Sequence, residues 1–251
     1  MTVYFIGAGP GDPELITVKG QRLIRSCPVL LYAGSLVPEA VLEGHQAETL
    51  VNTAELHLDE IIALIDSAHQ RGQDVARVHS GDPSLYGAIG EQIRHLRRLN
   101  IPFEIIPGVT ATAACAALLE SELTLPDIAQ TVILTRYGSR SKMPAGEELG
   151  DLARHGTTMA IHLGVQHLGK IVAELLPHYG ADCPIAVVHR ASWPDQDWVL
   201  GTLADIEAGV AAKGFQRTAL IVVGRVLAAD AFADSNLYRA GHAHLYRPAS
   251  E

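Results

Sequence analysis

Cysteine is scarce in this chain of 251 residues: Cys27, Cys115 and Cys183 are odd in number and far apart, with no Cys-x-x-Cys. That argues against a disulfide or zinc framework and fits thiols packed as small hydrophobes in a reducing compartment. Cations are also short, 19 Lys and Arg against 28 Asp and Glu, for a formal charge of −9. Nucleic-acid binding wants a basic face, so that class is disfavoured. A small anionic ligand is not, because a few local Arg and Lys residues in a cleft outweigh a distant acidic surface. No apolar run approaches the ~20 residues of a membrane span, and the first strand-like run begins at Val3. The expectation is therefore no membrane segment, no signal peptide and a cytoplasmic location. The charged fraction is low at 19% and the apolar fraction is 48%, which excludes disorder and supplies a sizeable core. Twelve histidines are scattered: His162 and His167 are five apart, and His242-Ala243-His244 lies in a polar tail. Neither pair has a third ligand nearby, so no metal is expected.

A dinucleotide fingerprint is also missing, although one is imitated. Val3-Tyr4-Phe5-Ile6-Gly7-Ala8-Gly9-Pro10-Gly11-Asp12-Pro13 reads as a buried strand feeding a tight turn. The fingerprint would put a third Gly at position 12 and an acid after the next strand. Position 12 is Asp, and the second apolar run, Val29 to Ala33, ends without an acid. Pro10 and Pro13 remove two amide donors. The loop is poorly made for a pyrophosphate, but a rigid Gly/Pro loop at a strand end still lines a ligand cleft.

What is present is an alternation of short apolar runs and helical patterns. Strands are predicted at 3–7, 28–33, 47–51, 74–79 and 103–106, with Thr17 capping a helix to about Cys27, a helix around Leu58–Ile65 and another from Gly87 to Leu99. A small-residue helix from Ala111 to Leu119 and a break at Leu123–Asp127 follow. The second series has strands near 131–135, 157–163, 185–190, 197–200 and 218–224, with helices near 147–153, 165–177 and 203–213. A Pro/Asp turn at Trp193–Trp198 places an antiparallel hairpin there. The fold class is α/β with two domains, the N-terminal one built on a mainly parallel sheet and the C-terminal one on a mixed sheet. The expected limits are 1–112, 113–232 and a tail at 233–251.

Ligands collect beyond the carboxyl ends of parallel strands, and three Gly/Pro loops follow such strands: Gly7–Pro13, Ser80-Gly81-Asp82-Pro83-Ser84-Leu85-Tyr86-Gly87 and Pro107-Gly108-Val109-Thr110. Any one is an ordinary turn; three in one domain are more than turn chemistry requires. Together with Leu15–Gly20, Leu134-Thr135-Arg136, Val165-Gln166-His167, Ala191–Asp195, Gly201–Ile206 and Thr218–Gly224, these loops resemble the tetrapyrrole methylases over residues 2–227, and the tail segment 237–247 also resembles them. Within that family, Tyr32–Val37 and His79–Ile89 look most like the branch that methylates C11 of precorrin-4 in cobalamin synthesis. Whether the substrate is metal-free or carries cobalt stays open, and a non-catalytic protein that binds an adenosyl ligand on the same scaffold is the alternative.

The resemblance implies two α/β domains with an active-site cleft between them, S-adenosylmethionine as methyl donor, no metal, a tetrapyrrole substrate and a homodimer. Carried over position by position, the donor site is Pro10, Ser80, Gly81, Asp82, Leu85, Thr110, Ala111, Leu163, Ala191 and Ala219. No catalytic residue is assigned. Asp82 either caps a turn or holds a polar group of donor or substrate, and Tyr86 either orients the substrate or packs at a helix start. For a substrate rich in carboxylates, the densest basic stretch, with Arg136, Arg140 and Lys142, is the candidate clamp through Arg–carboxylate pairing. His79, Lys19, Arg77 and Arg190 are weaker candidates of the same kind.

Overall fold

The computed structural model describes every residue except 139–140, 230–231, 236, 238–241, 244 and 249–251. It divides into two compact units, one formed by Met1–Ala114 with Arg190–Asp195, the other by Cys115–His189 with Gln196–Glu251.

The first unit is built on a five-stranded sheet in the order β3-β2-β4-β1-β5, where β1 is Val3–Gly7, β2 Val29–Tyr32, β3 Thr49–Asn52, β4 Val75–His79 and β5 Phe103–Ile106. Every pairing is parallel. Alternation along each strand sends side chains to two covered faces. Val3 and Phe5, Val29 and Leu31, and Val75 join one core with Ile61, Ile62 and Ile65 of α2 (Leu58–Gln70) and Ile89, Ile93 and Leu96 of α3 (Ile89–Arg98). Ile6, Leu30, Tyr32, Ala76 and Val78 face the other core, with Leu23 and Ile24 of α1 (Val18–Ser26). Fully burying residues such as Phe5 and Leu30 stabilises by about 1.5–3 kcal/mol each.

Local chemistry sets the helix ends. The Thr17 hydroxyl accepts from the Gly20 amide at 3.1 Å and starts α1 as predicted. The Glu60 carboxylate accepts from the His57 amide at the head of α2. Helix α3 begins at Ile89, two residues later than the apolar spacing predicts, because Tyr86 and Ala88 adopt left-handed φ values of 57° and 50°. Its Gln92 turns inward, accepting from buried Arg77 at 3.2 Å and donating to the Ala88 carbonyl at 3.2 Å. Helix α4 spans Ala111–Leu118, and the division of the chain into units falls after Ala114.

The second sheet has the order β6-β7-β10-β8-β9, with β6 Val132–Arg136, β7 Thr158–His162, β8 Pro184–His189, β9 Asp197–Thr202 and β10 Ala219–Val223. Only β6 and β7 are parallel, so the sheet is mixed as expected, and β8 and β9 form the predicted antiparallel hairpin. Met159, Ile161, Ile185, Val187, Ile221 and Val223 pack on α5 (Leu149–Ala153), α6 (Leu168–Tyr179) and α7 (Ile206–Lys213). The buried residues of α6, Leu168, Ile171, Val172, Leu175 and Tyr179, keep the 3-4 spacing of one helical face.

All three cysteines are buried and unbridged. Burial, helped at Cys27 by Asp74, pushes the Cys27 and Cys115 thiols up to about 12, so they pack as inert hydrophobes. No helix among the described residues is long and apolar enough to cross a membrane.

Candidate functional site

The parallel first sheet brings the carboxyl ends of β1, β4 and β5 to one edge, and the three Gly/Pro loops meet there. Gly9 and Gly81 exchange backbone hydrogen bonds, Gly81 N to Gly9 O at 2.7 Å and Gly9 N to Gly81 O at 3.2 Å. Side chains are excluded from this junction. A Cβ on Gly7 would lie 2.6 Å from the Gly108 Cα, and one on Gly108 would collide with the Gly81 carbonyl oxygen. Gly81 differs: its φ is +63°, and a Cβ there would meet nothing nearer than the Val109 carbonyl oxygen at 3.9 Å. The backbone is thus sealed on one side of the junction and open on the other.

Asp82 fastens two of these loops together. Its Oδ1 accepts from the amide and hydroxyl of Ser84, and its Oδ2 accepts from the Gly108 amide at 2.8 Å. Partial burial acts against ionisation, but the Ser84 hydroxyl and the Gly108 and Ser84 amides prevail and hold the carboxyl below the usual range. Each oxygen still has acceptor capacity for a ligand. Beyond it, Leu85 is half-buried and Tyr86 is exposed on the left-handed stretch. Thr110 and Ala111 open α4, where the Thr110 hydroxyl accepts from the Ala113 amide at 3.3 Å.

Beneath the loop, Arg77 and His79 of β4 point to the α2/α3 face and are buried. Burial lowers Arg77 to about 10, and its guanidinium is met by Gln92 and backbone carbonyls. His79 is 5% exposed, its Nε2 has no hydrogen-bond partner among the described residues, and burial with the neighbouring Arg77 charge lowers its pKa to about 3. It is a neutral imidazole. Two other weaker clamp candidates are committed elsewhere, Lys19 to Glu104 and Arg190 to Asp195.

The loop joining β8 to β9 belongs to the first unit. The Trp193 Nε1 donates to the Pro10 carbonyl at 2.8 Å, and the Asp12 amide donates to the Ser192 hydroxyl at 3.0 Å. Ala191 is buried between Arg190 and Ser192, both left-handed at φ 49° and 68°.

In the second unit, parallel pairing brings Arg136 and His162 side by side at the ends of β6 and β7. Burial holds His162 below the ordinary imidazole range. Leu163 follows at φ 56° with 67% of its surface exposed, and Thr218, directly before Ala219, has φ 54°. A large exposed apolar residue in a disfavoured conformation costs stability. The Arg136 guanidinium donates to the Ser141 carbonyl at 3.4 Å, and Lys142 is exposed. No ion pair among the described residues involves either. Arg140, and His244 of the tail pair, lie outside the described residues.

A family profile described as tetrapyrrole (corrin/porphyrin) methylases matches residues 2–207. The chain belongs to that family. It is 77% identical over 248 residues to a precorrin-4 C(11)-methyltransferase of Pseudomonas aeruginosa, covering 99% of both chains. Among solved structures, the cobalt precorrin-4 methyltransferase of cobalamin biosynthesis superposes with a TM-score of 0.88 at 42% identity, covering 90% of this chain and 95% of that one. Uroporphyrin-III C-methyl transferase from Thermus thermophilus, solved with S-adenosylhomocysteine, gives a TM-score of 0.74 at 31% identity, over 90% of this chain and 99% of its own. The chain has the two-sheet α/β fold of these tetrapyrrole methylases.

Missing from the sequence reading of this site are Trp193 and Ser192 as partners of the Pro10 loop, and Gln92 as the buried partner of Arg77. Trp193 carried one signal, since an indole between a Ser and a Pro in a polar turn asks for a place to bury its ring. Gln92 carried none beyond being polar on the apolar face of α3.

Proposed function

We propose that this chain is the enzyme that transfers one methyl group from S-adenosylmethionine to C11 of precorrin-4, giving precorrin-5 in cobalamin biosynthesis. The observation that carries the substrate is the 77% identity across 99% of both chains to a precorrin-4 C(11)-methyltransferase. Pocket shape has to select one ring carbon among similar ones, because the donor itself does not discriminate. Identity of 77% along nearly the whole length of both chains supports a shared pocket shape.

The donor is held, on this reading, by Pro10, Ser80, Gly81, Asp82, Leu85, Thr110, Ala111, Leu163, Ala191 and Ala219. The residues fit such a ligand. Gly81 turns an open backbone face outward, Asp82 keeps an ionised carboxylate beside it, and Leu163 and Leu85 offer apolar surface. When bound, the donor supplies a sulfonium methyl for in-line displacement by carbon. The protein's part is alignment and exclusion of water. Good alignment is worth roughly 7–11 kcal/mol of barrier, and the glycine junction and the Asp82 bonds fix the loops before the ligand arrives. Asp82 supplies a fixed negative charge near a cationic donor, and Tyr86 is the candidate to orient the substrate. Arg136, Arg140 and Lys142 grip substrate carboxylates. None of these roles calls for a metal. A homodimer in the cytoplasm completes the proposal.

A second reading is specifically supported: the cobalt precorrin-4 methyltransferase structure, at 42% identity, makes a cobalt-bearing substrate the alternative. Incubation with carbon-13-labelled donor and either metal-free or cobalt-bearing precorrin-4 decides both points. The expected result is one labelled methyl at C11 of the metal-free product. A signal at another ring carbon refutes the regiochemistry, and turnover of the cobalt substrate alone selects the second reading.

A further inference from the structure

The segment Arg190–Asp195 connects two strands of the second sheet but is compact with the first unit. Its fastening to the Pro10 loop is detailed. Pro10 has no amide hydrogen, so its carbonyl is the backbone group by which that residue can be anchored. The Trp193 indole takes it at 2.8 Å. The same ring fills the space beside Gly11, where a Cβ would lie 2.8 Å from the indole Cγ. One residue further, the Asp12 amide is held by the Ser192 hydroxyl. The indole is itself held: the Arg190 guanidinium carbon lies 4.0 Å over the ring, and Arg190 Nε pairs with Asp195 at 2.9 Å. The turn that stacks cation on ring is closed by Trp193 N donating to Arg190 O at 3.0 Å, with Arg190 and Ser192 left-handed. Left-handed backbone at two ordinary residues is retained where neighbouring contacts over-determine it, and a cation over an indole face is one such contact.

We propose that Trp193 is a positioning residue for the methyl-donor site: it fixes the Pro10 carbonyl and the path of Gly9–Asp12, while Arg190 fixes the plane of the indole. The proposal rests on the reading that the Pro10 loop meets the donor. It assigns to the 190–195 segment a role separate from the direct donor contact carried over for Ala191. Shape at Pro10 is then set from residues about 180 positions away in the chain.

The chain has two tryptophans, and Trp198, on β9, lies outside the described machinery, so Trp198→Phe leaves Trp193 as the sole indole emitter. In that background, titration with S-adenosylhomocysteine is expected to shift Trp193 emission with the same dissociation constant that calorimetry gives. Trp193→Phe keeps a ring on Gly11 and under Arg190 but removes the N–H. It should retain the parental circular dichroism and melting temperature while weakening S-adenosylhomocysteine about tenfold. The donor KM should rise in parallel, with kcat and the tetrapyrrole KM unchanged. Arg190→Met should weaken the donor severalfold, and Arg190→Lys should restore part of the loss. Silent emission together with parental affinity in Trp193→Phe would overturn the proposal and leave the donor reading standing. If Trp193→Phe does not fold, the Arg190 pair decides: parental donor affinity in both variants overturns it. A folded parent that binds no S-adenosylhomocysteine by calorimetry would instead overturn the donor reading beneath it.

Discussion

In the first unit five parallel strands deliver their loops to one edge, and glycine carries the tight geometry there: Gly7, Gly81 and Gly108 meet backbone to backbone. In the second unit three of four pairings are antiparallel, and disfavoured backbone at the strand ends falls on side-chain-bearing residues, on Leu163 after β7 and Thr218 before β10. The glycine junction of the first edge is made by deleting side chains, with left-handed Tyr86 and Ala88 only in the loop beyond it; the second edge places its strain on Leu163 and Thr218 at the strand ends themselves. The first arrangement is rigid because any added atom meets main chain. The second stores conformational energy that is released when the side chain is removed.

The sharpest way to break this comparison is Gly108→Val. Its Cβ would collide with the Gly81 carbonyl and approach the Gly7 Cα to 2.8 Å, both of them backbone. A loss of about 3 kcal/mol or more in denaturant unfolding is expected, with donor binding lost alongside. Gly81→Ala has room for its methyl and carries only the left-handed penalty, about 1–2 kcal/mol, so it should fold and expose any donor defect by calorimetry. Equal destabilisation by the two would show that the junction is not sealed on the Gly108 side.

Next in size, taken per pH unit, is an acid effect confined to the tip of β4. The unfolded chain protonates His79 near its ordinary pKa, and the folded chain resists down to about 3. Stability present above pH ~6.5 is therefore lost as the pH falls, by about 1.4 kcal/mol per unit across that window. His79→Gln should flatten this limb of the stability curve. An unchanged slope would mean that the imidazole is solvated.

Leu163→Gly tests the other side of the comparison. Relief of the left-handed strain, of order 1 kcal/mol, is opposed by the greater unfolded-state freedom of glycine. The melting temperature should stay level or rise slightly while affinity for S-adenosylhomocysteine falls about tenfold. A clear drop in melting temperature would show that the side chain is structural and not strained. The smallest effect is expected from Arg136→Ala with Lys142→Ala. Each of these surface charges is worth about 1 kcal/mol or less toward a carboxylate, so the tetrapyrrole KM should rise severalfold at low salt with donor affinity unchanged. Identical kinetics would leave both as solvated cations.

The same contrast explains what the sequence makes legible. The ten strands and most helices follow from apolar runs, caps and Gly/Pro loops, and the glycine edge of the first unit is visible because glycine and proline announce their backbone. Strain on Leu163, Tyr86 or Thr218 leaves no mark in a single sequence, since any residue type can be forced left-handed by its surroundings. The delayed start of α3 follows from two such residues. Asp82 was legible as a turn former, but its bond to the Gly108 amide depends on sheet order, which places β1 between β4 and β5. The Trp193–Pro10 bond spans 183 positions and has no local signature.

That separation also bears on how the protein is made. The Pro10 loop leaves the ribosome 183 positions ahead of its anchoring indole. At about 5–20 residues per second, roughly ten seconds or more of synthesis pass between them. A fragment ending at Ala114 contains every strand of the first sheet but not the segment that completes its unit. On a nascent chain the glycine edge can assemble early, whereas the Pro10 turn waits unlatched until the β8–β9 connection emerges.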